Sequence, residues 1–192
     1  KETTLALLRP VSTFVLAAVV LDADALMSAR TLERSEILML SGEALRRTMR
    51  QDADFSFAVA QELSGCYSGL VRAVKNQKLR GGVERLANYL ITQRVRQGMC
   101  DPIVLPHEKR VLASLLGMSP ENLSRAFASL SSYGVSVQGA EVGIGRPEAL
   151  ERLARPHPLI DNHMPPPTEN IGKAESERWS SQTGPSCGSA QG

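Results

Sequence analysis

The stretch Lys109 to Leu130, KRVLASLLGMSPENLSRAFASL, constrains the fold more than any other part of the chain. Apolar residues recur at helical spacing in both of its halves, Leu112, Leu115 and Leu116 first, then Leu123, Ala126, Phe127 and Leu130. Between the halves lies Gly117-Met118-Ser119-Pro120. Glycine can take a positive φ and end one helix, a serine at position 119 can accept from the free N–H groups of the next, and proline fits that helix's first position. The spacing predicts a helix-turn-helix, with Ala113 allowing close approach and Leu123 as the core residue of the second helix. The alternative is an ordinary helical hairpin inside a core. Against it stands the outward face of the second helix, where Glu121, Asn122, Ser124, Arg125 and Ser129 are short or polar. Such a face suits a helix whose N-terminal residues reach base edges in a major groove.

On these residues the stretch resembles the DNA-binding motif of the Crp/Fnr family of bacterial transcription regulators. The likeness extends from about Thr4 to Ile160 and is strongest over Leu105 to Ala154. E-N-L-S-R, with Glu121, Ser124 and Arg125, resembles the E-x-x-S-R recognition pattern of the Fnr-like members. The resemblance implies that these three residues read bases and that Ser119 and Asn122 support them. The chemistry fits, because Arg forks onto guanine O6/N7, Glu accepts from cytosine N4, and a serine hydroxyl serves either kind of partner. It also implies a homodimer on double-stranded DNA, an inverted repeat resembling TTGAT-N4-ATCAA, and an activator working with RNA polymerase in the cytoplasm.

Composition is consistent with a globular protein. Of 192 residues 42% are hydrophobic and 22% charged, enough for one or two domains with real cores. The net charge of +2 is too small to argue for nucleic acid alone. Its placement is uneven, since Arg72, Lys75, Lys78, Arg80, Arg85, Arg94 and Arg96 face only Glu84 between Arg72 and Arg96. That excess suits either phosphates or a solvated helix surface. Cys66, Cys100 and Cys187 are too scattered for a zinc site or a disulfide framework, which favours a reduced cytoplasmic protein. The apolar run Phe14 to Leu21 is too short to span a membrane and is followed by acidic residues rather than a cleavage site.

In chain order the expected class is α+β, with a partial β-roll sensor over 1–51, a long dimerisation helix over 52–80, a winged helix-turn-helix over 81–155 and a disordered tail over 156–192. Thr4–Leu8, Phe14–Leu21 and Arg30–Leu40 read as strands. The resemblance makes them the closing part of a cyclic-nucleotide-binding-like roll whose first half is missing from a chain that starts at Lys1. Ser41 caps a short helix to Met49, and Asp52 or Asp54 opens the long one, with Val59, Leu63, Cys66, Leu70 and Val74 on one stripe. By resemblance this stripe is a dimer seam, with Gly65 and Gly69 permitting close approach; the alternative is packing within its own domain. Gly81-Gly82 reads as a hinge, and Val83–Gln97 as a helix with Leu86, Leu90, Ile91 and Val95 inward. Val135–Val137 and Val142–Ile144 around Gln138-Gly139-Ala140-Glu141 form a hairpin wing, and Pro147 starts a last helix to about Leu153. Beyond Pro156 the chain is rich in Pro, Ser and Gly, and Trp179 lies there.

No catalytic constellation or metal-spaced cluster is visible, so an enzyme is not expected. Asp22/Asp24 and Asp52/Asp54 sit at element boundaries, where capping explains them. His107 reads as a helix-start residue, and His157 and His163 flank a Pro-rich exit. Where the family's cyclic-nucleotide cassette has glycine, glutamate and arginine, this chain has Val15, Leu16 and Met27. Without a cation a buried phosphate has no partner, so cyclic AMP is not expected. The iron–sulfur members carry several cysteines chiefly near the N-terminus, where this sequence shows none, so an iron–sulfur cluster is not expected either. The resemblance, through the E-x-x-S-R pattern and the wing, implies nitric oxide through haem, redox state, an anaerobic signal or another small ligand. A second function is a dimeric interaction module that has lost effector and DNA binding.

Overall fold

The computed structural model describes residues 3–9 and 11–161. They form two compact units, one of residues 9–69 and one of residues 70–161 with 3–8. Trp179, His163, Cys187 and the expected disorder of the tail from 162 onward lie outside the described residues.

The first unit holds α1 (Leu16–Leu21), α2 (Gly42–Gln51) and the beginning of α3 (Ala53–Leu79). Ser41 caps α2 by accepting from the Ala44 N–H at 3.4 Å, and Asp52 starts α3 by accepting from the Phe55 N–H at 2.9 Å, both as the sequence indicated. Arg46 ties α2 to α1, donating to the Val19 carbonyl at 2.8 Å and pairing with Asp22 at 2.8 Å. Asp22 closes α1 in the left-handed region, φ 53°, which bears out the boundary reading of that acidic residue.

The strand readings of this region are corrected. Thr4–Leu8, Phe14–Leu21 and Arg30–Leu40 form no strand, and the middle run contains α1 instead. A strand must find its backbone partners on another segment, whereas a helix finds them within itself, and Ala17-Ala18 favour the helix. With no ladder to join, residues 23–40 leave Leu26, Leu38 and Met39 largely in solvent. The α+β class holds, and every strand among the described residues lies in the second unit.

That unit continues from Leu70 of α3 into α4 (Gly82–Arg96), β1 (Ile103–Val104), α5 (Lys109–Leu115), α6 (Pro120–Leu130), β2 (Val135–Gln138), β3 (Glu141–Ile144), α7 (Pro147–Ala154) and α8 (Pro158–Asp161). Glu84 begins α4 by accepting from the Gly81 N–H at 2.7 Å. Leu86, Ala87 and Leu90 of α4 are fully buried with Leu112, Leu123, Leu130, Val142 and Leu150, one core joining α4, α5, α6 and α7 with the wing sheet. Ile91 is partly buried, but Val95 is exposed, contrary to expectation, and Gln93 takes an inward position. The sheet has the order β1-β3-β2, all antiparallel. The pair Val137 and Val142 sits beside the pair Gln138 and Glu141, leaving Gly139-Ala140 as a two-residue turn. Gly139 has φ 63°, the conformation that makes glycine the natural residue there.

β1 was not visible in the sequence. Ile103 is buried against Val142, and the outer edge of Val104 is closed by a side chain, Gln97. The Gln97 amide donates to the Val104 carbonyl at 2.8 Å and accepts from its N–H at 2.8 Å. The expected disorder from 156 is likewise corrected for its first residues, because α8 forms and buries Ile160. Its two apolar residues gave no periodicity to read, and what fixes it is a distant partner in sequence, described below.

Candidate nucleic-acid interface

The turn between α5 and α6 is built by backbone geometry that its sequence demands. Gly117 takes φ 63°, the Met118 N–H returns to the Ala113 carbonyl at 2.9 Å, and the Gly117 N–H to the Ser114 carbonyl at 3.0 Å. This pair of bonds is the Schellman closure, which satisfies carbonyls that a helix end leaves open. Ala113 is fully buried at the closure, as its small size anticipated. Arg85 of α4 adds a third bond, its Nε donating to the Leu116 carbonyl at 2.8 Å.

Ser119 then starts α6. Its hydroxyl oxygen accepts from the Asn122 N–H at 3.2 Å, and Pro120 occupies the first turn. Leu123, Ala126, Phe127 and Leu130 face the core. Glu121, Asn122, Ser124, Arg125 and Ser129 are exposed. The structure therefore brings Glu121, Ser124 and Arg125 onto one solvent-facing surface, flanked by Ser119 and Asn122 near the helix start. The Ser119 hydroxyl, the helix N-terminal backbone and Arg125 hold the Glu121 carboxyl below its ordinary value, the first being the largest cause. Ser124 donates to the Pro120 carbonyl at 3.0 Å, which leaves its oxygen lone pairs to accept.

The basic residues divide into two sets. Arg80 and Arg85 are not available to phosphates, because Arg80 is paired with Asp161 and Arg85 bonds the Arg80 and Leu116 carbonyls. Lys78 and Arg96 are exposed, while Arg72, Lys75 and Arg94 are half-buried. At the start of α5, Lys109 and Arg110 are also exposed. Sequence reasoning missed the structural work of Arg85 and Asp161, because a carbonyl acceptor or a partner far along the chain leaves no local signal.

Along α3, Val59 is buried, Leu63 half-buried, and Cys66, Leu70 and Val74 exposed. Partial desolvation by its neighbours, and secondarily the charge of Glu62, pushes the Cys66 thiol above its ordinary value although its side chain is exposed. Among the described residues no three His, Cys, Asp or Glu side chains converge as a metal site would require. No helix of the described residues is long and apolar enough to cross a membrane.

A capped helix with a polar N-terminal face, set on a helical core beside a two-stranded wing, defines a winged helix-turn-helix DNA-binding domain. Residues 84–153 match the family model of the Crp-like helix-turn-helix domain. FixK2 from Bradyrhizobium japonicum has a similar structure, with a TM-score of 0.50 at 19% identity over 59% of this chain and 59% of that one. A likeness at that identity speaks for the fold. A protein from Silicibacter pomeroyi DSS-3, described as a candidate cAMP-binding regulatory protein, gives a TM-score of 0.45 at 29% identity over 60% of this chain and 50% of that one. The match thus spans between half and three fifths of these proteins. A comparison with curated proteins finds no match.

Proposed function

We propose that the protein is a homodimeric regulator that binds an inverted-repeat operator and reads it with Glu121, Ser124 and Arg125. The observation carrying this reading is the exposed row of those three side chains on a helix whose opposite face is fully committed to the core. Arg125 would fork onto guanine, Glu121 would accept from the neighbouring cytosine, and Ser124 would contact the adjoining pair. Ser119 and Asn122 would hold the helix start against the backbone.

The dimer is supported by the exposed part of the α3 stripe, where Leu70 and Val74 are 59% and 48% exposed in a single chain. At about 1.5 Å per residue, 27 residues of α3 extend roughly 40 Å, long enough for a two-stranded seam. A two-fold protein matches a palindromic site with half-sites about 34 Å apart. From the family likeness alone come the further parts of the reading: a nitric oxide, redox or anaerobic signal, with haem as one route, and activation through RNA polymerase in the cytoplasm.

Binding to TTGAT-N4-ATCAA and to singly substituted versions, measured by fluorescence anisotropy at fixed salt, tests the proposal. Loss of affinity confined to particular base changes supports it. Equal affinity for all sequences, varying only with salt, would leave the interaction-module reading.

A further inference from the structure

The junction between α3 and α4 is Arg80-Gly81-Gly82, two glycines that by themselves specify the direction of the chain poorly. What fixes the direction is a contact from the far end of the domain. The Arg80 guanidinium meets the Asp161 carboxylate of α8 as a fork, Nη1 to Oδ1 at 2.6 Å and Nη2 to Oδ2 at 2.5 Å. The two side chains are only 7% and 22% exposed, so water screens the pair weakly. Arg80 also donates to the Asn76 Oδ1 at 3.1 Å and to the Arg155 carbonyl at 3.2 Å. Asp161 is held in turn by His157, whose N–H donates to its Oδ2 at 2.6 Å and whose carbonyl accepts from its N–H at 2.8 Å. Neighbouring Ile160 is buried, which anchors the segment.

The network does not stop at Arg80. Its carbonyl accepts from Arg85 Nη1 at 2.6 Å, and Arg85 Nε reaches the Leu116 carbonyl at the end of α5. One run of hydrogen bonds therefore passes from Asp161 through Arg80 and Arg85 to the turn that positions α6. Gln77 of α3 lies on the same turn, its amide 3.3 Å from where a side chain at Gly117 would begin. The last turn of α3, the glycine pair and the recognition turn are thus held together by a residue that follows the whole winged domain.

We infer that the Arg80–Asp161 pair is a clasp that sets the angle at which α3 enters the winged domain, and so the distance between the two recognition helices of a dimer. The inference rests on the proposed reading of the protein as a dimer on an inverted repeat. Arg80 and Asp161 are positioning residues, touching no base. Without Asp161 the Arg80 charge is left in a buried place and must turn out to water, which releases the end of α3. Base recognition within one half-site is untouched, because α6 keeps its own caps and core face. Selectivity between operators whose half-sites differ in spacing is lost.

The test uses the full chain with Asp161→Asn, Arg80→Lys and the exchanged pair Arg80→Asp/Asp161→Arg. Each is titrated against inverted repeats with spacers of three to six base pairs and against a single half-site. Asp161→Asn is expected to flatten the spacing preference about tenfold, the size of an ordinary coupling energy, while half-site affinity holds. The exchanged pair is expected to recover a spacing preference, whereas Arg80→Lys, lacking the planar fork, is not. Unchanged spacing preference in folded Asp161→Asn overturns the clasp, as does an equal loss on half-site and full site. Amide exchange at Gly81, Gly82 and Val83 gives a readout that needs no DNA, and it should quicken in Asp161→Asn. If the wild type favours no inverted repeat, the DNA-binding reading fails while exchange still decides the clasp.

Discussion

The Ser119 hydroxyl that caps α6 by accepting from the Asn122 N–H at 3.2 Å is also the largest influence holding the Glu121 carboxyl below its usual range. Replacing Ser119 by Ala removes both effects. The lost cap should cost about 0.5 to 2 kcal/mol of stability, measured by urea denaturation. The Glu121 pKa should rise toward the ordinary carboxylate value, visible in its side-chain carbonyl resonance. A group with a depressed folded pKa stabilises above its unfolded pKa and loses that contribution as pH falls through the folded one. Recognition of cytosine by Glu121 should therefore persist to lower pH in the wild type than in Ser119→Ala. Identical titration curves would show that the hydroxyl does not hold the carboxylate.

Arg125→Ala and Glu121→Ala should each reduce discrimination at one base pair by about 1 to 3 kcal/mol per half-site. Lys109→Ala, in an exposed residue at the start of α5, should instead lower affinity for all sequences alike and reduce the salt slope. Anisotropy titrations over a panel of substituted operators distinguish the two patterns.

Leu123→Ala should destabilise the winged domain by about 2 to 5 kcal/mol, since Leu123 is 1% exposed in the central core and its loss leaves a cavity. A cost below 1 kcal/mol in denaturant titration would mean that the face opposite the reading residues is not packed as described.

Millimolar cyclic AMP should leave both the melting temperature and operator binding unchanged. Val15 and Leu16 offer no charged or hydroxyl partner to a ribose or phosphate, and Met27 is exposed and apolar. A ligand bound to the folded state raises the melting temperature by mass action, so a shift of several degrees would contradict this.

The parts of the chain that were legible are those whose signals are local. Ser119-Pro120, Gly117 and Gly139 announce caps and turns within a few residues, and Ser41 and Asp52 likewise mark the helices that they start. Leu123 to Leu130 shows its face at helical spacing within the eleven residues of α6. Phe14–Leu21 misled because a short apolar run fits a buried strand or a helix equally well, and only the presence of a pairing partner decides. β1 is two residues long, too short for any periodicity, and it exists because Val142 and Gln97 receive it. Asp161 was hidden for another reason. Its partner Arg80 stands 81 positions earlier, a separation at which composition carries no information about contact. The positive residues of the same region therefore looked alike in sequence, although two of them are spent inside the domain.

The amide of Gln97 carries a consequence for how copies of this protein behave when crowded. An exposed strand edge is a template on which another chain can lay down a further strand. At Val104 both outward backbone groups are already engaged by that one side chain, so an incoming segment finds neither a free donor nor a free acceptor there. On this side the wing sheet ends at a strand only two residues long, and that edge does not invite growth.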